Sequence, residues 1–132
     1  MAEQLHEEKI ARHLKHLSEA LDSGTQFQVR KLLRNLSGSE IGDLLESLPL
    51  TKRLAVWELN DPDMDGEVLV HVNDEVRASL IRDMDQEELV AAVGELDIDD
   101  LADILDDLPN AVTTKVLNAM TQQDRVRLAQ VM

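Results

Sequence analysis

The sequence predicts an all-α protein, an α-solenoid of about ten short helices. Residues 37–132 divide into eight consecutive units of twelve residues with no insertion. Positions eight and nine of every unit are apolar, which is typical of the buried stripe of an amphipathic helix. Each unit also opens with a residue that favours a helix N-cap or first turn, namely Ser37, Pro49, Asp61, Asn73, Asp85, Asp97, Pro109 and Thr121.

The helices of this repeat must be separate. Twelve residues at about 100° each would rotate the apolar stripe by about 120° per unit, so one continuous helix is excluded. A helix of about nine residues is marginal alone and needs neighbours to pack against. An ordinary helical bundle with regular loops is the alternative, and eight uninterrupted units favour the solenoid.

A longer helix precedes the repeat. We predict it over about residues 5–21, closed by the breaker Asp22-Ser23-Gly24. The segment that starts at Thr25 already keeps the register of the repeat. We therefore divide the chain into an N-terminal helix with its connector, residues 1–24, and a superhelical repeat region, residues 25–132, within one domain.

The charge of the chain is strongly acidic and excludes several classes of partner. It has 27 acidic and 13 basic residues, and residues 83–107 hold 11 carboxylates and no Lys or Arg. Such a surface repels phosphate backbones, and a single Phe, a single Trp and no Tyr leave little to stack on bases, so no nucleic-acid partner is expected. No apolar run reaches the roughly 18 residues of a membrane span and no signal peptide is recognisable, so we expect a soluble, cytoplasmic chain without membrane insertion.

One short motif suggests calcium. Residues 61–66, DPDMDG, match the opening of an EF-hand loop, but Val72 stands where a Glu must complete the ligand set. We interpret Asp61 instead as a helix N-cap and Pro62 as the first helical residue.

The other catalytic and metal-binding patterns in the sequence do not indicate a functional site. His13 and His16 lie three residues apart on one helix, and His6 precedes them on the same helix. Because the neighbouring Lys and Arg residues repel a dication, we expect these histidines to be solvated. The absence of Cys excludes thiolate zinc sites and disulfides. No nucleophile elbow, HExxH motif or Gly-rich phosphate loop is present, so an enzyme is not expected.

The acidic cluster around residue 100 is different in kind. The i, i+4, i+7 spacing of Asp99, Asp103 and Asp106 predicts three carboxylates on one helix face. The opposite face is apolar and predicted to be buried, through Leu101, Ile104, Leu105 and Leu108. Like charges at this spacing destabilise a helix, so either the face is simply solvated or a cation offsets the repulsion. Oxygen ligands select hard ions, and Mg²⁺ takes only one or two carboxylates from a surface while keeping several waters.

Four segments in register give the chain a family resemblance: LSEALDSGTQFQVRKLLRNL, SEIGDLLESLP, DPDMDGEVL and DIDDLADILDDLP. Over residues 15–132 the chain resembles the N-terminal cytosolic domain of MgtE-type magnesium transporters. The resemblance implies a right-handed superhelix, followed in the full transporter by CBS domains and a membrane domain, assembled as a homodimer. It also implies that the domain docks on the CBS domains through shared Mg²⁺ ions and favours the closed pore.

The resemblance implies metal-binding residues as well. The carboxylate of GEVL and the first and last aspartates of DDLAD carry over to Glu67, Asp99 and Asp103, with Asp100 adjacent. Because the partner's ligands are missing, the isolated domain is expected to bind Mg²⁺ weakly. The alternative from another class is an α-solenoid for protein–protein interaction, similar to the middle domain of flagellar motor switch proteins.

Overall fold

The computed structural model describes residues 2–132, and within that range it is all-helical. The ten helices are α1 (Ala2–Asp22), α2 (Gln26–Arg34), α3 (Gly38–Ser47), α4 (Leu50–Leu59), α5 (Pro62–His71), α6 (Asp74–Asp83), α7 (Gln86–Gly94), α8 (Ile98–Ile104), α9 (Asn110–Ala119) and α10 (Gln122–Val131), with a 3₁₀ turn at Leu105–Asp107. The predicted all-α class and the number of helices are confirmed.

The first helix is longer than predicted. It begins at Ala2 rather than near residue 5, because Ala, Glu and Gln at its start all favour helix. It ends at the predicted breaker, where the Ser23 hydroxyl donates to the Ala20 carbonyl at 2.9 Å. Gly24 then adopts a φ of 72°, a left-handed conformation that glycine adopts at little cost.

The first residue of each unit is the N-cap of its helix, as predicted. Ser37, Asp61, Asn73, Asp85 and Thr121 accept a backbone N–H through their side chains. The twelfth residue of most units is an extended C-cap, so two extended residues join one helix to the next. This short corner makes each helix turn back on its predecessor.

The helices stack in two layers, because each packs mainly on the helix two places away. One layer contains α1, α3, α5, α7 and α9 in that order, while α2, α4 and α6 follow one another in the other, and α8 packs on α10. The residue at position eight is at most 7% exposed in every unit. Position nine is buried as far as Leu105 but exposed at Ala129, and Val126, Val131 and Met132 are exposed near it. The apolar stripe therefore emerges at α10, where no helix within residues 2–132 covers it.

Two arginines join consecutive pairs of helices. Arg77 on α6 donates from Nε to the Leu69 carbonyl at 2.7 Å and from Nη2 to the Val72 carbonyl at 2.8 Å, at the end of α5. Arg53 on α4 makes the equivalent pair of bonds at the end of α3. Both arginines stand at position five of their units, so the structural repeat is a pair of helices, twice the sequence period.

Candidate metal centre

The four predicted metal-binding residues lie on two helices that contact each other, α5 and α8. Glu67 on α5 and Asp100 on α8 line the same open cavity, of about 390 Å³. Asp99 and Asp103 are exposed on α8 and are not part of its lining. The structure therefore brings two of the four carboxylates together and leaves the other two on the adjoining surface.

Other polar residues complete the cavity wall, and sequence reasoning did not single them out. Glu95 and Asp97 come from the corner between α7 and α8, and Ser39 comes from the first turn of α3. The only sequence signal at Asp97 is its N-cap position, which indicates a structural role. These groups converge through the packing of α3, α5 and α8 around the corner, which the spacing along the chain does not reveal.

Two histidines lie at positions that the sequence pattern did not indicate. His71, isolated in the sequence, lines the cavity, and its Nε2 lies 3.5 Å from Oδ1 of Asp43. The other oxygen of Asp43 lies 3.1 Å from Nε2 of His6 on α1. Asp43 thus bridges two imidazoles from α1 and α5, and His6 belongs to this contact rather than to a group with His13 and His16.

Asp106 lies outside the helix on which it was predicted to share a face with Asp99 and Asp103. α8 ends at Ile104 and the chain continues as a 3₁₀ turn over Leu105–Asp107. The adjacent Asp107 accepts a hydrogen bond from Nη1 of Arg77 at 3.0 Å, which ties this turn to α6. Asp99 and Asp103 keep the i, i+4 relation within α8. The predicted burial of Leu101, Ile104, Leu105 and Leu108 is confirmed.

The calcium-loop motif forms part of a helix instead. The Asp61 carboxylate caps α5 by accepting the N–H of Asp63 at 3.0 Å, and Pro62 is the first helical residue. Asp65 is buried within that helix and accepts a hydrogen bond from Nδ2 of Asn60 at 2.9 Å. A helix that begins at Pro62 leaves no loop to surround an ion, so the interpretation as an N-cap is confirmed.

A comparison with known protein families identifies the family of this chain. Residues 36–132, from the residue before the α3 N-cap to the end of α10, match the family described as the MgtE intracellular N domain. The chain belongs to this family. The matched part contains Glu67 and all three α8 aspartates, whereas α1 and α2 precede it. No curated protein matches the sequence. No helix of this MgtE N domain within residues 2–132 is both long and apolar enough to cross a bilayer.

The donor groups of this MgtE N domain suit part of a magnesium coordination shell. Within residues 2–132, no three His, Asp or Glu side chains are grouped so as to hold a metal ion by themselves. Glu67 and Asp100 form no ion pair with a Lys or Arg in this range, so no basic side chain neutralises either carboxylate. Mg²⁺ is commonly bound through one or two protein carboxylates and several waters, so these residues fit the ion.

A neighbouring carboxylate of the MgtE N domain makes stability depend on pH. The pKa of Asp65 is raised from 3.8 to about 7, mainly by burial and also by the nearby Glu88 and Asp61 carboxylates, while the hydrogen bond from Asn60 opposes the shift. The folded state therefore binds this proton more tightly than the unfolded state. Its favourable contribution is complete below the unfolded pKa and is lost as the pH rises from about 4 to about 7.

Asp65→Asn should remove this dependence. At pH 8 the variant should melt about 5 °C above the wild type, and the difference should shrink towards pH 4, as measured by circular dichroism. Asp63→Asn, at an exposed position in the same turn, should show no comparable change with pH. A difference in melting temperature that stays constant from pH 4 to pH 8 would exclude titration of Asp65 as its cause.

Proposed function

We propose that this chain is the cytoplasmic magnesium-sensing domain of an MgtE-type magnesium transporter, with a regulatory and not a catalytic role. Membership of the MgtE N-domain family supports the transporter context. The observation that carries the sensing role is the shared cavity of Glu67 and Asp100, which the α5–α8 contact brings together. Part of the cavity wall comes from the most acidic part of the chain, residues 83–107, which itself contains no Lys or Arg.

We further propose that the acidic surface docks on the CBS domains of the same transporter, within a homodimer. Glu67 and Asp100 bind the ion from the cavity, and the exposed Asp99 and Asp103 present further carboxylates to the partner. Bound Mg²⁺ supplies positive charge and coordinated waters between the two surfaces. When magnesium is scarce, the uncompensated carboxylates repel one another and favour release, which opens the pore.

The test is the double variant Asp99→Asn/Asp103→Asn in the intact transporter. Asn keeps the size and helix position of each side chain but removes its charge. We expect the magnesium concentration for half-closure, measured as ion flux in vesicles, to rise about tenfold, or about 1.4 kcal/mol over both exposed carboxylates. Asp124→Asn is the control, because Asp124 lies on α10 and is not among the residues that line the cavity.

Ionic strength must be held constant in this comparison. A chain of net charge −14 is stabilised by any added salt, so a general response to magnesium is not specific. If half-closure occurs at the same magnesium concentration in the double variant and the wild type, the assignment of these aspartates is wrong. The α8 face that carries Asp99 and Asp103 would then be simply solvated, and the sensing role would depend on Glu67 and Asp100 alone.

A further inference from the structure

The first turn of α3 makes an unusually close contact with Glu67. A Cβ atom added to Gly38 would lie 2.5 Å from Cγ, 2.6 Å from Cδ and 2.9 Å from Cβ of Glu67. These separations are shorter than carbon atoms tolerate, since favourable contacts between carbons lie at about 3.5–4.0 Å. Gly38 is buried, although it is the first residue of its helix. The Glu67 side chain therefore occupies the space that any other residue at position 38 would fill.

Backbone conformation does not explain this glycine. Gly24 is the residue with positive φ in the described chain, so Gly38 has a backbone that other residues also adopt. Glycine in a helix costs about 1 kcal/mol relative to alanine, so helix propensity disfavours it as well. The close contact with the exposed Glu67 side chain, including its Cβ, is what favours a residue without a side chain here.

The turn that contacts Glu67 is itself held on two sides. Oε1 of Glu40 accepts the Ser37 N–H at 3.1 Å, and the Ser37 hydroxyl accepts the Glu40 N–H at 3.2 Å, which forms a capping box. Oε2 of Glu40 lies 2.9 Å from Nζ of Lys9 on α1, and this hydrogen bond lowers the pKa of Glu40 to about 2. Gly38 lies between Ser37 and Glu40, so the contact surface for Glu67 is fixed by the cap and by α1.

We propose that Gly38 is a positioning residue for Glu67. Because Gly38 has no side chain, the Glu67 side chain packs against α3 at this point, and its carboxylate is directed towards the cavity shared with Asp100. Glu67 makes no ion pair in residues 2–132 that could hold it there instead. A side chain already held in one conformation loses less entropy when it binds an ion. The consequence for magnesium rests on the proposed function, whereas the packing role does not.

A double-mutant cycle tests the packing role. Gly38→Ala should lower the melting temperature by about 5 °C, and at least half of this loss should vanish in the Glu67→Ala background, where Cγ and Cδ are removed. Gly94→Ala is the matched control, because a Cβ there would have no neighbour within 4 Å. The control should not lower the melting temperature, in either background. An equal loss from Gly38→Ala with Glu67 and with Ala at position 67 would overturn the proposal.

Paramagnetic Mn²⁺ tests the binding consequence, through NMR line broadening of backbone amides in the 132-residue chain. In the wild type, Mn²⁺ should broaden the amides around Glu67 and Asp100 over the same concentration range. In Gly38→Ala, broadening around both Glu67 and Asp100 should need five- to tenfold more Mn²⁺. Unchanged broadening at Glu67 would overturn the positioning role. Absence of broadening at both residues in the wild type would overturn the proposed function, and the double-mutant cycle would still decide the packing role.

Discussion

Arg77→Met should destabilise the domain by about 4 kcal/mol. Arg77 is only 8% exposed and donates to the Leu69 and Val72 carbonyls at the end of α5. Its Nη1 also lies 2.9 Å from Oδ1 of Asp74 and 3.0 Å from Oδ2 of Asp107. Methionine retains an unbranched apolar stem but no donor, so it leaves carbonyls without partners, at about 1–3 kcal/mol each when buried, and removes both ion pairs.

The measurement is urea unfolding followed by circular dichroism, with the free energy extrapolated to water. Arg82→Met is the matched control, because Arg82 lies on the same helix but is exposed, and it should change stability by no more than about 0.5 kcal/mol. A loss below about 1 kcal/mol for Arg77→Met would show that the corner between α5 and α6 does not depend on these bonds.

The linear pattern of the sequence was sufficient to predict most of the fold. Start signals every twelve residues and an apolar residue at position eight are local properties, and each helix from α3 to α10 obeys them. The pairing of helices was not predicted, although Arg53, Arg77 and Arg125 recur at position five in units two, four and eight. From the sequence alone, a buried charged residue at position five cannot be distinguished from an exposed one, because the carbonyls that it contacts are not yet known. The break at Ile104 was missed because the 3₁₀ turn depends on tertiary contacts, including the bond from Arg77 to Asp107.

The candidate site was harder to predict from the sequence than the fold was. Glu67 was proposed from the family resemblance and not from its spacing, since a single Glu on a helix carries no signal of its own. Its proximity to Asp100, 33 residues later in the chain, depends on how three corners fold. The role of Gly38 was invisible for the same reason, because the side chain that fills its space comes from another helix.

Gly66→Ala should destabilise the domain by about 2 kcal/mol. Gly66 is buried on α5, at the point where this helix packs against α7. A Cβ there would collide with the Ala92 carbonyl oxygen and lie 3.2 Å from both the Ala92 carbonyl carbon and Cδ2 of Leu96. Overpacking of this kind typically costs about 1–3 kcal/mol, and the higher helix propensity of alanine offsets part of it.

The size of this effect depends on whether the neighbour can move. The oxygen that the new methyl group would meet belongs to the backbone of α7, which also packs on α9, so relief requires a shift of a helix rather than of one side chain. Gly94→Ala, on α7 but in open space, should leave stability unchanged or raise it by up to about 1 kcal/mol in the same urea titration. If Gly66→Ala is as stable as the wild type, α5 and α7 are free to separate. The position of Glu67, one residue further along α5, would then be less firmly fixed than the packing of these two helices implies.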